Sequence, residues 1–159
     1  MSIAVYPGTL DPITNGHLDV INRALNMYEK VILGIAEKSN KELLFSINER
    51  VDMAKAAVGD NPKLVVERFN GLVVKFARKL NATSIVRGLR AVSDFEHEFQ
   101  MAQLNRKLDA KIETVFIMAS PEYAYLSSSA VREIASFQGE VSDLVPKKVE
   151  LNLKSRYSN

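Results

Sequence analysis

The chain has 159 residues, 47% hydrophobic and 25% charged, with 7 Gly and 5 Pro; that fits one α/β-sized domain and excludes a disordered or collagen-like chain. Lys and Arg total 21 against 19 Asp and Glu, and a net charge of +2 gives no global reason to expect a nucleic-acid or membrane-surface partner. With no Cys there is no disulfide framework, Cys-based zinc site, iron–sulfur cluster or thiol nucleophile, and 2 His leave almost no room for a His-rich metal site.

Ile3–Tyr6 is predicted as a brief strand stopped by Pro7-Gly8, too early for a signal-peptide core and with no basic residue before it. The longest apolar stretches, near Val31–Ala36 and Val115–Ala119, fall far short of the ~20 residues a membrane span needs, so a soluble cytoplasmic protein is expected. Leu18, Ile21, Leu25 and Tyr28 mark one face of a helix, and Val31–Ala36 reads as a buried strand. Ser46 and Glu49 form a capping box ahead of the stripe Ile47, Val51, Ala54 and Val58. Leu64–Val66 is a strand, Leu72 to Leu80 a helix, Ser84–Val86 a strand, and Val92 to about Leu108 one long helix. Glu113–Met118 is the fifth strand, followed by a helix from about Ser128 to Ser136 and another after Pro146. Strand–helix alternation with continuous apolar strands predicts a five-stranded parallel sheet covered on both faces, in a single domain over 1–159.

In open α/β sheets ligands bind beyond the carboxyl ends of the strands, and the unusual residues fall there. Tyr6-Pro7-Gly8-Thr9-Leu10-Asp11-Pro12-Ile13-Thr14-Asn15-Gly16-His17 follows the first strand and Glu37-Lys38-Ser39-Asn40-Lys41 the second. Arg87-Gly88-Leu89-Arg90 follows the fourth, and Leu126-Ser127-Ser128-Ser129 opens a helix after the fifth. Neither a Gly-x-Gly-x-x-Gly turn, a P-loop nor a Gly-x-Ser-x-Gly elbow is present. Thr14 or Asn15 can instead cap the first helix and place His17 in its first turn, where free amides and the helix dipole favour an anion and disfavour a cationic imidazole.

Each segment also has a plain structural reading. Lys38 and Lys41 could be solubilising, Arg87 and Arg90 could pair with Asp94, Glu96 and Glu98, and the serines could be an ordinary helix cap. His97, among acidic neighbours in a helix, reads as structural; Tyr123 and Tyr125 suit base stacking or loop packing equally. Convergence after four strands favours a phosphate site over any of these taken singly.

Thr14-Asn15-Gly16-His17 and Ser127-Ser128-Ser129-Ala130-Val131-Arg132 resemble the two signatures of the nucleotidyltransferase superfamily. The Tyr6–His17 segment and Arg87-Gly88-Leu89-Arg90-Ala91-Val92-Ser93-Asp94-Phe95-Glu96 resemble more narrowly the phosphopantetheine adenylyltransferases, over essentially the whole chain. The resemblance implies a dinucleotide-binding (Rossmann-like) fold and transfer of AMP from ATP to 4′-phosphopantetheine, giving dephospho-coenzyme A and pyrophosphate with Mg²⁺. It also implies a homohexamer, with coenzyme A as a candidate inhibitor. On the same footing, His17 would contact the α-phosphate, Thr9 and Lys41 would orient the attacking phosphate, and Arg87 would grip the phosphopantetheine phosphate. Arg90 and the amides of Ser128 and Ser129 would hold the β- and γ-phosphates. Tyr6, Gly8, Leu10, Gly88, Glu98, Tyr123 and Ser127 would complete the ATP pocket, and the pantetheine arm would lie against Leu72, Met101, Leu104, Asn105 and Glu133. The chain departs from that pattern at Glu42, where a second Lys is common, at His97, where Tyr is usual, and at Leu10 and Leu126, which stand for Phe and Ile. Two other readings remain: a related transferase with nicotinamide mononucleotide or glycerol phosphate as acceptor, and a nucleotide-binding regulatory module without turnover.

Overall fold

Strands and helices alternate along the computed structural model, which describes residues 1–93 and 95–158. In chain order they are β1 (Ile3–Gly8), α1 (Asn15–Met27), β2 (Lys30–Ala36), α2 (Ile47–Val58), β3 (Leu64–Phe69) and α3 (Val73–Lys79). Then follow β4 (Ser84–Leu89), α4 (Phe95–Leu108), β5 (Glu113–Met118), a short 3₁₀ turn at Pro121–Tyr123, α5 (Ser128–Ser136) and α6 (Lys147–Tyr157). The sheet order is β3-β2-β1-β4-β5 and all pairs are parallel, so the predicted doubly covered sheet is what forms.

The apolar runs of β1, β2 and the first half of β4 are buried on both faces, and successive residues divide between two cores. Ala4, Tyr6, Leu33 and Val86 belong to the larger core, packed with α1, α2, α5 and α6 through Ile21, Met53, Val131 and Leu153. Val5, Ile32 and Ile85 face the smaller one, closed by Val74, Phe76 and Ala77 of α3. Here Phe69 and Phe76 stack with ring centroids 4.6 Å apart, and a Cβ on Gly34 would stand 2.7 Å from the Phe76 ring. Only glycine lets the rings lie on the strand. No helix among the described residues is long and apolar enough to cross a membrane.

Three expectations change in a way that matters for the site, the first being that β4 runs on through Arg87, Gly88 and Leu89, paired with β5, so that of the segment Arg87-Gly88-Leu89-Arg90 only Arg90 lies past the strand. Pro7-Gly8 does not stop β1: the strand continues, pairing Pro7 with Gly34 and Gly8 with Ile35 of β2. Toward β4 the ladder contains only Ala4–Ser84 and Val5–Ile85, so β1 and β4 have parted before the position where proline lacks its N–H. The long helix also begins later than predicted, at Phe95, after a turn over 91–93. β1 is the strand from which the chain first winds toward β3 and then toward β5, and a crevice at the carboxyl end of such a switch point is where this architecture takes ligands.

Candidate active site

At that crevice the end of β1, the start of α1, the loop after β2, the end of β4 and the start of α5 enclose a cleft of about 360 Å³. Of the residues singled out from the sequence it brings together Thr9, Leu10, His17, Lys41, Arg87, Gly88, Arg90, Glu98, Ser127, Ser128 and Ser129. Gly88 lies so close to α1 that a Cβ there would meet Val20 at 3.1 Å.

Thr14, not Asn15, caps α1, with extended backbone that no helical residue would have. Its hydroxyl accepts from the His17 amide at 3.4 Å, and its own amide donates to His17 Nδ1 at 3.0 Å. This capping box fixes Nδ1 as the acceptor and leaves the proton on Nε2. Burial, reinforced by the charges of Arg90 and Arg87, pushes the His17 pKa down from 6.5 to about 3. The imidazole is therefore a neutral hydrogen-bond donor in the first turn of a helix. Tyr6, behind it, is held neutral as well, its phenol pushed up to about 12 by burial.

The cations differ in how they are held. Arg87 is bidentate to Glu98, Nε at 3.0 Å and Nη2 at 2.6 Å, and its Nη1 donates to the Pro7 carbonyl at 3.1 Å. Burial works against its charge, but the Glu98 carboxylate more than offsets this. Three of its five N–H groups are thus engaged, and one on each terminal nitrogen is left for a ligand. Arg90 donates from Nη1 to the Leu126 carbonyl, tying the β4 end to the entry of α5. Lys41 stands on an exposed loop, as does Lys38. Of the ion-pair cluster entertained for these arginines, Glu98 takes part, while Asp94 lies outside the described residues.

The α5 entrance supplies amides. Ser127 caps the helix by accepting from Ala130 at 3.0 Å, while the Ser128 and Ser129 amides occupy its first two positions, without intrahelical partners. The Ser128 hydroxyl donates to the Pro12 carbonyl at 2.7 Å, binding this helix start to the loop after β1.

A second cavity of about 260 Å³ adjoins the first, sharing Pro7, Gly8, Thr9, Arg87 and Glu98 with it, and is walled by Phe69, Val73, Met101, Ala102 and Asn105. It is the less polar of the two, and His97 lines it. Met101 and Asn105 thus line an apolar-walled extension of the cleft. Leu72, Leu104, Glu133 and Tyr123 line neither cavity: the first three are exposed, and Tyr123 packs part-buried against the larger core.

Sequence reasoning passed over Asp11 and Arg132 as site residues. The buried Asp11 carboxylate accepts from the amides of Leu44 at 2.8 Å and Phe45 at 2.9 Å. Arg132 donates to the Asp11 carbonyl at 2.6 Å and to the Ser129 hydroxyl at 3.3 Å, while lining the cleft. The signal for Arg132 was present in the Ser127–Arg132 motif; for Asp11 no local pattern foretold its partners, which lie 33 and 34 residues away.

Residues 5–134 match the cytidylyltransferase-like family model. A phosphopantetheine adenylyltransferase of Moorella thermoacetica is 52% identical over 157 residues, spanning 99% of this chain and 98% of the relative. The enzyme of the same name from Geobacter metallireducens is 49% identical, over 98% of this chain and 96% of its own. The chain belongs to the phosphopantetheine adenylyltransferase family. It is a nucleotidyltransferase. The fold agrees: a solved bifunctional NMN adenylyltransferase/ADP ribose pyrophosphatase from Francisella tularensis, complexed with AMP and a manganese ion, superposes with a TM-score of 0.71 at 17% identity. The alignment covers 99% of this chain, which spans about half (49%) of that longer protein.

Proposed function

We propose that this nucleotidyltransferase, as a single domain over 1–159, transfers the adenylyl group of ATP to 4′-phosphopantetheine in coenzyme A biosynthesis. An oxygen of the phosphopantetheine phosphate attacks the α-phosphorus in line as the bond to the β-phosphate oxygen breaks. The electron pair leaves with pyrophosphate, dephospho-coenzyme A is the other product, and no covalent enzyme intermediate forms. The observation that carries this reading is the junction of the two cavities. A polar, cation-lined cleft meets a less polar one at Thr9 and Arg87, as a triphosphate nucleotide and a phosphate on an apolar arm would require.

The nucleophile is already an anion, so no general base is needed; the work is alignment and screening of two polyanions. The Nε2–H of neutral His17 donates to the α-phosphate and strengthens as charge builds there. Thr9 and Lys41 orient the attacking phosphate, and the two remaining N–H groups of Arg87 hold it. Arg90 and the amides of Ser128 and Ser129 hold the β- and γ-phosphates, with Leu10, Gly88, Glu98, Tyr123 and Ser127 around the nucleotide. Met101 and Asn105, with Leu72, Leu104 and Glu133, flank the pantetheine arm.

Mg²⁺ belongs with this reading as a companion of the triphosphate. Among the described residues no cluster of three His, Cys, Asp or Glu could hold an ion. Of the carboxylates lining the cleft, Asp11 is engaged by two amides and Glu98 by Arg87, while Glu42 stands on the exposed loop beside Lys41. The metal would be carried by phosphate oxygens and water, and bound there it supplies charge to offset that of the leaving pyrophosphate. A cytoplasmic homohexamer completes the proposal: α4 buries none of its residues and exposes Phe95, Phe99, Met101, Leu104 and Leu108, more apolar surface than one helix of a lone chain ordinarily leaves to water.

The test is release of pyrophosphate from ATP and Mg²⁺ on adding 4′-phosphopantetheine, with ATP formed from dephospho-coenzyme A and pyrophosphate in reverse. Equal or faster reaction with nicotinamide mononucleotide or glycerol phosphate would overturn the acceptor. ATP binding without turnover of any acceptor would make the chain a regulatory module. Coenzyme A, added to the same assay, reports whether it inhibits.

A further inference from the structure

Among the described residues Arg50 is the largest fully buried side chain, 1% exposed, and the chemistry above gives it no part. It projects from α2, and its hydrogen bonds go to backbone carbonyls alone. Nε donates to Phe45 at 3.2 Å, Nη1 to Thr9 at 2.8 Å and to Ala36 at 2.7 Å, and Nη2 to Glu37 at 3.2 Å. A buried charge is costly, and an apolar side chain of that volume would fill the same space without the cost of desolvating a cation. The position of the four carbonyls gives a reason for the guanidinium. Thr9 immediately follows β1, at the junction of the two cavities. Ala36–Glu37 and Phe45 are the two ends of the loop that carries Lys41. From the other side Asp11 holds the amides of Leu44 and Phe45, so the far end of the loop is gripped at both its N–H and its C=O.

We propose that Arg50 is a positioning residue for the transfer reaction: one guanidinium holds Thr9 and both ends of the Lys41 loop in a fixed relation, so that the attacking phosphate is presented in line. It touches no substrate and acts through Thr9 and Lys41, and the inference rests on the roles given to those two above. The planar fork spreads its donors over three nitrogens; a lysine, with one nitrogen, cannot span four carbonyls. A displacement of about 1 Å at a reacting group can cost on the order of 10²-fold in rate, so a small slackening of this tie is measurable.

The experiment uses the full chain with Arg50→Lys and, as a second variant retaining donors without charge, Arg50→Gln. Calorimetric ATP stoichiometry counts folded sites, and kcat and KM are measured for both substrates, alone and combined with Lys41→Ala. Per folded site, Arg50→Lys is expected to lower kcat by about tenfold or more with the KM for ATP within about threefold. In the Lys41→Ala background the same change should cost clearly less than in the unsubstituted protein, because one of the two groups it positions has gone. A variant with lowered Tm but unaltered kcat per folded site, or with fully multiplicative losses, overturns the inference. So does failure of both Arg50 variants to fold, which would make the residue a determinant of the fold. If Lys41→Ala keeps full turnover, the parent reading of Lys41 falls and takes the inference with it. If Lys41→Ala loses turnover and Arg50→Lys does not, the inference alone falls.

Discussion

On the β4 side of the cleft both arginines already have protein partners, Arg87 the Glu98 carboxylate and the Pro7 carbonyl, Arg90 the Leu126 carbonyl. On the β2 side Lys41 extends from an exposed loop whose tip has little around it, although its base is pinned by Arg50 and Asp11. One wall is a preset template and the other a tethered arm. The difference suits the two kinds of cation. A guanidinium held by a carboxylate can offer its remaining N–H groups at a fixed angle, whereas an ammonium on a four-carbon stem supplies a charge that follows its target. A two-substrate phosphate reaction has use for both: a template fixes the ground-state complex, and a mobile charge tracks the reacting phosphate as the bond order changes. His17, at the α1 terminus between the walls, belongs by this logic to the chemistry more than to the grip.

The largest expected effect tests that middle position. His17→Ala should lower kcat by roughly 10²–10³ while leaving both KM values within a few-fold, since the Nε2–H contact strengthens only as charge develops. Steady-state kinetics with a raised KM and unchanged kcat would place His17 with the template instead. Next in size is a contrast between the walls. Arg87→Lys should behave nearly as badly as Arg87→Ala, weakening phosphopantetheine binding by about tenfold or more and ATP binding much less, because one ammonium cannot face Glu98 and a phosphate in the same fork geometry. Lys41→Arg, on the tethered arm, should keep turnover within about fivefold. Titration calorimetry on the first and turnover on the second decide it. Equal losses for both ligands at Arg87, or collapse of Lys41→Arg, would erase the distinction between template and arm.

How much of this was legible in the sequence depended on how local each cause is. Val31–Ala36 announces itself because a strand buried on both faces must be apolar throughout; the edge strand Glu113–Met118 shows only through its run Val115–Met118, and the Ser46–Glu49 capping box is a four-residue signal that the structure reproduces. The candidate site residues were visible because strand ends are predictable places: Thr9 and Arg90 lie just past β1 and β4, Arg87 lies in the last half of β4, and His17 and Lys41 lie on the segments that follow β1 and β2. Pro7 misled for a tertiary reason: whether a missing N–H ends a strand depends on which neighbour is still paired there, and β4 has already diverged. Arg50 was invisible because its residue type says surface and its partners are scattered, from Phe45 five positions away to Thr9 at 41. The same holds for Asp11. Leu72, Leu104 and Glu133 entered only through the family resemblance, and in this chain they are exposed and line neither cavity.

The smallest effect is a stability change, and it bears on how dry the middle of the cleft is. With its pKa pushed from 6.5 to about 3 by desolvation first and by Arg90 and Arg87 second, His17 stays unprotonated in the folded chain over a range where the unfolded chain takes up a proton. Stability therefore rises with pH across that window; the contribution is complete above about 6.5 and is lost as pH falls toward 3. His17→Asn retains an acceptor for the Thr14 amide but cannot take up that proton. Other acid-sensitive groups titrate alike in both proteins and cancel in the difference. The Tm of the variant relative to the unsubstituted protein should thus move in the variant's favour as pH is lowered through this window, by scanning calorimetry without ligand. Pyrophosphate in the cleft offers the imidazole a counter-charge, raises its pKa and should shrink that movement. Parallel Tm curves with and without the histidine would mean that His17 is solvated enough to titrate normally, and the neutral donor between the two walls would have to be given up.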